Sequence, residues 1–155
     1  MKNTTLCYIE KDGKYLMLYR NKKKHDENAG KWIGVGGKFE PGETPEDCLN
    51  REVYEETGLR LLSYSFRGLV VFRSDIYETE NMYLFTSDDF EGELLECSEG
   101  KLEWIPKDEI KDLPLWEGDK VFLNLLTEGK SFGILELYYQ RDNLITAVLD
   151  GNTIL

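Results

Sequence analysis

Three glutamates stand at positions that a helix would bring onto one face. Glu52, Glu55 and Glu56 have the spacing i, i+3 and i+4, so on an α-helix their side chains lie above one another. Carboxylates held this close repel one another, and a divalent cation would remove that repulsion. Magnesium takes oxygen ligands and commonly combines a few carboxylates with water and substrate phosphates. On this spacing alone a solvated acidic helix face is the more common explanation, and a metal–phosphate site is the alternative that the surrounding sequence supports.

The sequence around these glutamates predicts the elements that position them. Thr44 suits the N-cap of a helix, Pro45 its first position, and Gly58 the position after its end. Arg51 lies inside the acidic cluster and could pair with Glu43 or with a helix carboxylate, holding the preceding loop against the helix. That loop is rich in glycines, which let backbone atoms approach a ligand closely. The glycines are Gly34, Gly36, Gly37 and Gly42.

The segment from Gly36 to Leu59 resembles the Nudix box, G-x5-E-x7-R-E-U-x-E-E-x-G-U, where U is apolar. Every fixed position agrees, and the matching residues are Gly37, Glu43, Arg51, Glu52, Val53, Glu55, Glu56, Gly58 and Leu59. The resemblance implies an α/β fold, the Nudix α/β/α sandwich with a mixed β-sheet. It implies that Glu52, Glu55 and Glu56 bind magnesium, for which manganese can substitute, with help from the carbonyl of Gly37. It also implies that Glu43 and Arg51 support the loop–helix geometry.

Other segments resemble the MutT/MutX branch of this family, which hydrolyses oxidised purine nucleoside triphosphates. They are Gly30–Trp32, Val35–Lys38, Leu102–Pro106 and Trp116–Asp119. The resemblance implies that Trp116 and Asp119 hold the base by stacking and hydrogen bonding. The alternative is that Trp116 belongs to the core and Asp119 caps the following helix. Some relatives read the oxidised base with an asparagine where this chain has Ile33, so base discrimination must come from other residues.

Further candidates lie in two charged loops. Relatives often place an additional metal-binding or catalytic glutamate in the loop corresponding to Glu96–Gly100, and Glu99 is the candidate here; the alternative is an ordinary charged loop. Lys23 and Lys38 are candidates for binding the triphosphate tail, although lysine runs are commonly solvated surface. His25 is the only histidine, and nothing else in the sequence supports nucleophilic catalysis by histidine or serine.

The remaining sequence predicts strands, a second helix and a polar surface. The expected strands are 5–9, 15–19, 69–72, 82–85, 101–105, 132–139 and 144–149, and the second helix is 119–126. We expect one domain, 1–155. The net charge of −11 argues against a polymeric nucleic-acid partner but allows a small phosphorylated one. Three scattered cysteines and the lack of a long apolar run predict a cytoplasmic protein without membrane association, and the oligomeric state stays open.

The resemblance implies a magnesium-dependent hydrolase that converts a nucleoside triphosphate and water to a monophosphate and pyrophosphate, with 8-oxo-dGTP as a candidate substrate. Two alternatives stay open. One is a hydrolase of another diphosphate, such as a nucleotide sugar or a dinucleoside polyphosphate. The other is a nucleotide-sensing domain without turnover, although the intact carboxylates argue against it.

Overall fold

The computed structural model describes residues 1–22 and 26–155. Within these residues the chain forms ten strands, two α-helices and one 3-10 helix. The strands are β1 (Lys2–Lys11), β2 (Lys14–Arg20), β3 (Trp32–Ile33), β4 (Val35–Lys38), β5 (Arg60–Ser74), β6 (Glu80–Glu91), β7 (Gly100–Pro106), β8 (Ile134–Gln140), β9 (Asn143–Leu149) and β10 (Asn152–Thr153). The helices are α1 (Pro45–Thr57), α2 (Glu117–Thr127) and the 3-10 helix Lys107–Asp112.

The sheet is mixed, as the sequence predicts. Its strand order is β10-β9-β8-β5-β6-β1-β2-β3, with β4 paired to β1 and β7 paired to β2. The pairs β1–β6 and β5–β8 are parallel, and the other pairs are antiparallel. The tight turn between β1 and β2 has positive φ at Asp12 (52°) and Gly13 (75°), the backbone of a type I′ hairpin loop.

Strand β1 lies at the centre of the molecule and supplies both of its main hydrophobic cores. Successive side chains of a strand point to opposite faces of the sheet. Leu6 and Tyr8 pack on the face that also buries Phe122 of α2, whereas Cys7 and Ile9 pack on the face that buries Leu49 and Val53 of α1. The two helices therefore cover opposite faces, and the predicted α/β/α sandwich is confirmed.

Helix α1 has the predicted signals at both of its ends. The hydroxyl of Thr44 accepts a hydrogen bond from the backbone N–H of Asp47 (3.1 Å), and the Asp47 carboxylate accepts one from the N–H of Thr44 (3.1 Å). This is a capping box. At the other end Gly58 has a left-handed backbone (φ 79°) and donates its N–H to the carbonyl of Tyr54. These fixed ends and the buried face set the direction of the glutamates.

Several element bounds differ from the sequence-based expectation. Strands β5 and β6 extend well beyond the predicted apolar runs. They stay paired with each other through three register shifts, and many of the additional residues are exposed or half-exposed. The last hairpin begins at Ile134 instead of Phe132, and Arg141 at its turn has φ 55°. Helix α2 begins at Glu117, two residues before the predicted start. In the described part of the chain, none of the helices has the length and apolar character that crossing a bilayer requires.

Candidate active site

Arg51 joins the loop before α1 to the acidic face of that helix. Its guanidinium donates to both carboxylate oxygens of Glu43, at 2.7 and 2.9 Å, and to the carbonyl of Lys38 at 2.9 Å. It also donates to Glu52 (2.8 Å) and Glu55 (3.1 Å). Hydrogen bonding by Arg51 lowers the pKa of Glu43 to about 2. The predicted pairing of Arg51 with Glu43 is therefore present, and it is bidentate.

Two glycines of β4 allow α1 to lie against the sheet. A Cβ atom on Gly36 would stand 1.9 Å from the carbonyl oxygen of Thr5, and one on Gly37 would stand 2.5 Å from the carboxyl carbon of Glu52. The backbone N–H of Gly36 donates to the Glu56 carboxylate at 3.1 Å. Close contact between β4 and these two carboxylates therefore depends on residues that lack a side chain.

Three carboxylates converge beside β4. Glu56 is only 6% exposed, and its pKa is raised well above the usual value by burial, then by hydrogen bonding to Glu99 and by the charges of Glu99 and Glu52. Burial, opposed by Arg51, also raises the pKa of Glu52. Arg20 donates to Glu99 at 3.0 Å and so holds this loop carboxylate near α1. Sequence reasoning missed Arg20, because a basic residue at a strand end carries no distinctive signal.

Glu55 is separated from the other two helix glutamates. Its side chain is 56% exposed and pairs with Arg51, whereas Glu52 and Glu56 turn toward the sheet. The helical spacing places all three on adjacent positions, but the burial of one edge of α1 divides them. The carboxylates that converge are therefore Glu52, Glu56 and Glu99.

The donor chemistry of this cluster fits a hard divalent cation. Glu99 raises the pKa of both Glu52 and Glu56, so a shared cation would stabilise the ionised form of each of them. Among residues 1–22 and 26–155, no three acidic, histidine or cysteine side chains already stand in the arrangement of a metal site. Arg51 holds one oxygen of Glu52, and Gly36 holds one of Glu56, so the other oxygen of each carboxylate would be the one to face a cation.

A cleft of about 720 Å³ connects this cluster to the predicted base-binding residues. Glu52, Glu56 and Glu99 line it together with Trp116 and Asp119. These residues come from α1, from the loop before β7 and from the start of α2. Tertiary structure therefore brings together the two sets of residues that the sequence identified separately.

Trp116 lies at the N-terminal end of α2 and forms part of the cleft wall. Its indole N–H donates to the side-chain oxygen of Asn28 at 2.8 Å. Its ring makes an edge contact with Tyr139 (ring centroids 5.5 Å apart), and the ammonium of Lys31 lies 4.7 Å from the ring centroid. These contacts fix the orientation of the ring, which suits an aromatic surface for stacking.

Asp119 does not cap α2. The N-cap residue is Trp116, whose side chain makes no capping bond, and the free N–H of Gly118 donates instead to the hydroxyl of Tyr139 at 2.6 Å. Asp119 is 4% exposed, and burial raises its pKa to about 8, with a further contribution from the charge of Glu80 that Lys31 opposes. The structure thus contradicts the helix-cap alternative and leaves a buried carboxyl group that lines the cleft.

Three other sequence-based candidates have different outcomes. Lys38 and Ile33 both line the cleft. The apolar side chain of Ile33 offers no hydrogen bond to a base there. Lys23 lies outside the described residues, and so do Lys24 and His25. The proposed contact of Lys23 with a triphosphate therefore stays a prediction.

Sequence reasoning also missed Lys2 and Glu80, which line the cleft near Asp119. They are far apart in the sequence, and the parallel pairing of β1 with β6 places them directly opposite each other. Neither belongs to a local motif. Only the strand register reveals that they share one wall.

Comparison with known proteins agrees with this geometry. The NUDIX domain family model matches residues 2–126. An oxidized purine nucleoside triphosphate hydrolase of Danio rerio is 35% identical over 133 residues, covering 84% of this chain and 83% of that protein. An uncharacterized Nudix hydrolase of Bacillus subtilis is 30% identical over 135 residues, covering 84% and 82%. The crystal structure of a MutT protein from Bacillus halodurans superposes with a TM-score of 0.85 at 29% identity, covering 97% of this chain and 98% of that one. The chain belongs to the Nudix family and is a hydrolase of phosphoanhydride bonds.

Proposed function

We propose that this protein is a divalent-metal-dependent pyrophosphohydrolase of purine nucleoside triphosphates, oxidised ones such as 8-oxo-dGTP included. The observation that carries the proposal is the single cleft that joins the carboxylate cluster to Trp116 and Asp119. Its volume of about 720 Å³ suits a small ligand such as a nucleotide. Relatives named as oxidized purine nucleoside triphosphate hydrolases support the substrate class.

The proposed metal site uses Glu52 and Glu56 with the carbonyl of Gly37, and Glu99 as an additional ligand or catalytic group. Glu55 belongs to the proposed site as well, and its exposed side chain would have to turn from Arg51 toward the cluster to reach a metal. Magnesium, or manganese in its place, would neutralise charge on phosphate oxygens and lower the pKa of a bound water. The protein's own carboxylates orient the attacking water and accept its proton. The convergence of Glu52, Glu56 and Glu99 in one cleft supports this role for a carboxylate of the cluster.

The supporting residues keep the reacting groups in place. Arg51 and Glu43 hold the loop to α1, which fixes Glu52 beside Gly37. Lys38 lines the cleft, where its charge would attract the triphosphate tail, and Lys23 is proposed for the same role. Water attack on phosphorus then releases pyrophosphate and leaves the nucleoside monophosphate.

The proposed physiological setting is a cytoplasmic nucleotide pool, served by one domain that spans 1–155. The net charge of −11 supports small nucleotides over polymeric nucleic acid, because a long polyanion would be repelled along its whole length. Small nucleotides meet the acidic cleft together with their own cations.

The proposal is tested by pyrophosphate release from a nucleotide panel with magnesium present. The panel contains 8-oxo-dGTP, dGTP, dATP, dCTP, a nucleotide sugar and a dinucleoside polyphosphate. We expect pyrophosphate from the purine triphosphates, loss of turnover in EDTA and recovery on adding magnesium. If a nucleotide sugar or a dinucleoside polyphosphate is hydrolysed faster than the purine triphosphates, the protein is a hydrolase of that other diphosphate. If nucleotides bind without turnover, the protein is a nucleotide-sensing domain.

A further inference from the structure

Glu80 is a carboxylate held in a fixed position on the wall of the cleft. The hydroxyl of Thr4 donates to one of its oxygens at 2.7 Å, and the ammonium of Lys2 lies 3.3 Å from the other. Lys2 is itself held by Glu27 at 2.8 Å. Only 21% of the Glu80 side chain is exposed. The group is therefore positioned before any ligand arrives, which lowers the entropy cost of using it for recognition.

Glu80 keeps unused capacity to accept hydrogen bonds. An ionised carboxylate has about four lone-pair sites. Thr4 and Lys2 occupy one site on each oxygen, so further acceptor sites remain on a group that lines the cleft.

Two donors near this part of the cleft are already engaged. The indole N–H of Trp116 is bonded to Asn28, and the hydroxyl of Thr4 is bonded to Glu80. Ile33 contributes neither a donor nor an acceptor. Across the described residues, the buried carboxyl of Asp119 has no hydrogen-bond donor, and its pKa responds to the charge of Glu80. Glu80 therefore offers acceptor sites in the same cleft as the buried carboxyl of Asp119.

We propose that Glu80 is a specificity-determining residue that acts with Asp119 to select bases presenting adjacent N–H donors, as the ring N–H and 2-amino group of guanine-type purines do. The inference rests on the proposed function, because it names the base that the same cleft binds. An adenine or cytosine edge places a ring nitrogen acceptor beside its amino group. Setting that acceptor against a carboxylate leaves both groups without a donor, which costs binding energy.

The test compares dGTP with dITP, which differ only in the 2-amino group. We expect wild type to favour dGTP over dITP by about tenfold in kcat/KM, the discrimination of one hydrogen bond to a charged group. Glu80→Gln should shift this ratio toward unity, with the loss in kcat/KM falling mainly on dGTP, because the amide oxygen is a weaker acceptor than the carboxylate. Thr4→Val keeps the carboxylate and removes its anchor, so it should reduce the ratio by about threefold without abolishing it.

Glu78→Gln is the matched control. Glu78 also lines the cleft, but it is more than half exposed and pairs with the N-terminal amine at 2.8 Å. Its substitution should leave the dGTP to dITP ratio at the wild-type value. Because its acidic character matches that of Glu80, the comparison separates a specific contact from a general change of charge in the cleft.

A binding measurement distinguishes failure of this inference from failure of the proposed function. Calorimetric affinities for GMP and IMP need no turnover. If triphosphates are not hydrolysed but GMP binds more tightly than IMP in a Glu80-dependent manner, the proposed activity is wrong and the assignment of Glu80 stands. If triphosphates are hydrolysed and Glu80→Gln lowers kcat/KM for dGTP and for dITP by the same factor, the assignment is overturned. The assignment is also overturned if wild type has equal kcat/KM for dGTP and dITP and equal affinity for GMP and IMP.

Discussion

The guanidinium of Arg51 contacts both oxygens of Glu43 with two nearly parallel hydrogen bonds, 2.7 and 2.9 Å long. Such a fork cannot be reproduced by an ammonium group, which is a compact point charge. The contact spans from the loop to the middle of α1. It therefore couples the position of the glycine-rich loop to the position of the carboxylates.

Arg51→Lys should lower kcat by about tenfold or more, because the loop loses its bidentate contact and Glu52 loses a donor. Secondary structure should stay intact, since both caps of α1 are independent of this side chain. Steady-state kinetics with far-ultraviolet circular dichroism checks the expectation. An unchanged kcat in a folded variant would mean that the clamp does not position the reacting groups.

Glu56→Gln should cut turnover by roughly a hundredfold or more while preserving the fold, because it removes charge at the proposed metal without changing size. The matched control is Glu46→Gln, an exposed glutamate in the first turn of the same helix. That control should keep wild-type turnover. Wild-type rates for Glu56→Gln, or equal losses in the two variants, would remove Glu56 from the metal site.

The first products should be a nucleoside monophosphate and pyrophosphate. Separation of the products by anion-exchange chromatography at early times distinguishes them from a nucleoside diphosphate and orthophosphate. The assay must lack inorganic pyrophosphatase, which would otherwise convert one outcome into the other. Early formation of a diphosphate would contradict the proposed position of attack.

Asp119→Ala should lower kcat/KM for 8-oxo-dGTP by roughly 5- to 150-fold more than for dCTP, the range of one to two lost buried hydrogen bonds. Trp116→Ala should instead lower kcat/KM for all three substrates, 8-oxo-dGTP, dGTP and dCTP, because stacking does not depend on the base edge. Specificity constants of wild type and both variants check this. Equal losses on all three substrates for Asp119→Ala would make Asp119 a structural residue.

The burial of Asp119 should also make stability depend on pH. Its pKa is about 8 in the folded protein and near 3.9 in an unfolded chain, so the folded state holds the extra proton between these values. Stability contributed by this group is therefore full below about pH 4 and is lost as pH rises toward 8, by up to about 1.4 kcal/mol per pH unit.

Comparison with the Asp119→Asn variant isolates this effect, because other titrating groups are common to both proteins. Denaturant unfolding between pH 4.5 and 8.5 should show wild type losing stability relative to the variant as pH rises. Parallel stability curves would mean that Asp119 is ionised throughout that range.

Local signals in the sequence were sufficient to predict α1 and the first two long strands, and the mixture of strands and helices predicted the mixed sheet. The ends of α1 are set by Thr44, Pro45 and Gly58, whose preferences act over three or four residues. The same locality explains why the nine box positions could be recognised. Their roles in metal binding and catalysis stay predictions that the variants above address.

Other features depend on tertiary structure and carry no local signal. The separation of Glu55 from Glu52 and Glu56 follows from which edge of α1 is buried. The meeting of Lys2 with Glu80 follows from parallel strand register, which no short pattern encodes. Strand β5 is longer than its apolar run. It pairs with β6 on one side and with β8 on the other, and this pairing cannot be read from the residues of β5 alone.

Gly36 and Gly37 are adjacent and equally small, yet the cost of replacing them falls on different properties. A side chain at 36 would collide with the backbone of β1, which cannot yield without breaking the sheet. One at 37 would meet only the end of the Glu52 side chain, which can rotate away. In a library of variants, selection for abundance would remove changes at 36 but accept small residues at 37. Selection for activity would remove substitutions at both positions. The difference between the two screens therefore separates residues needed for folding from residues needed only for catalysis.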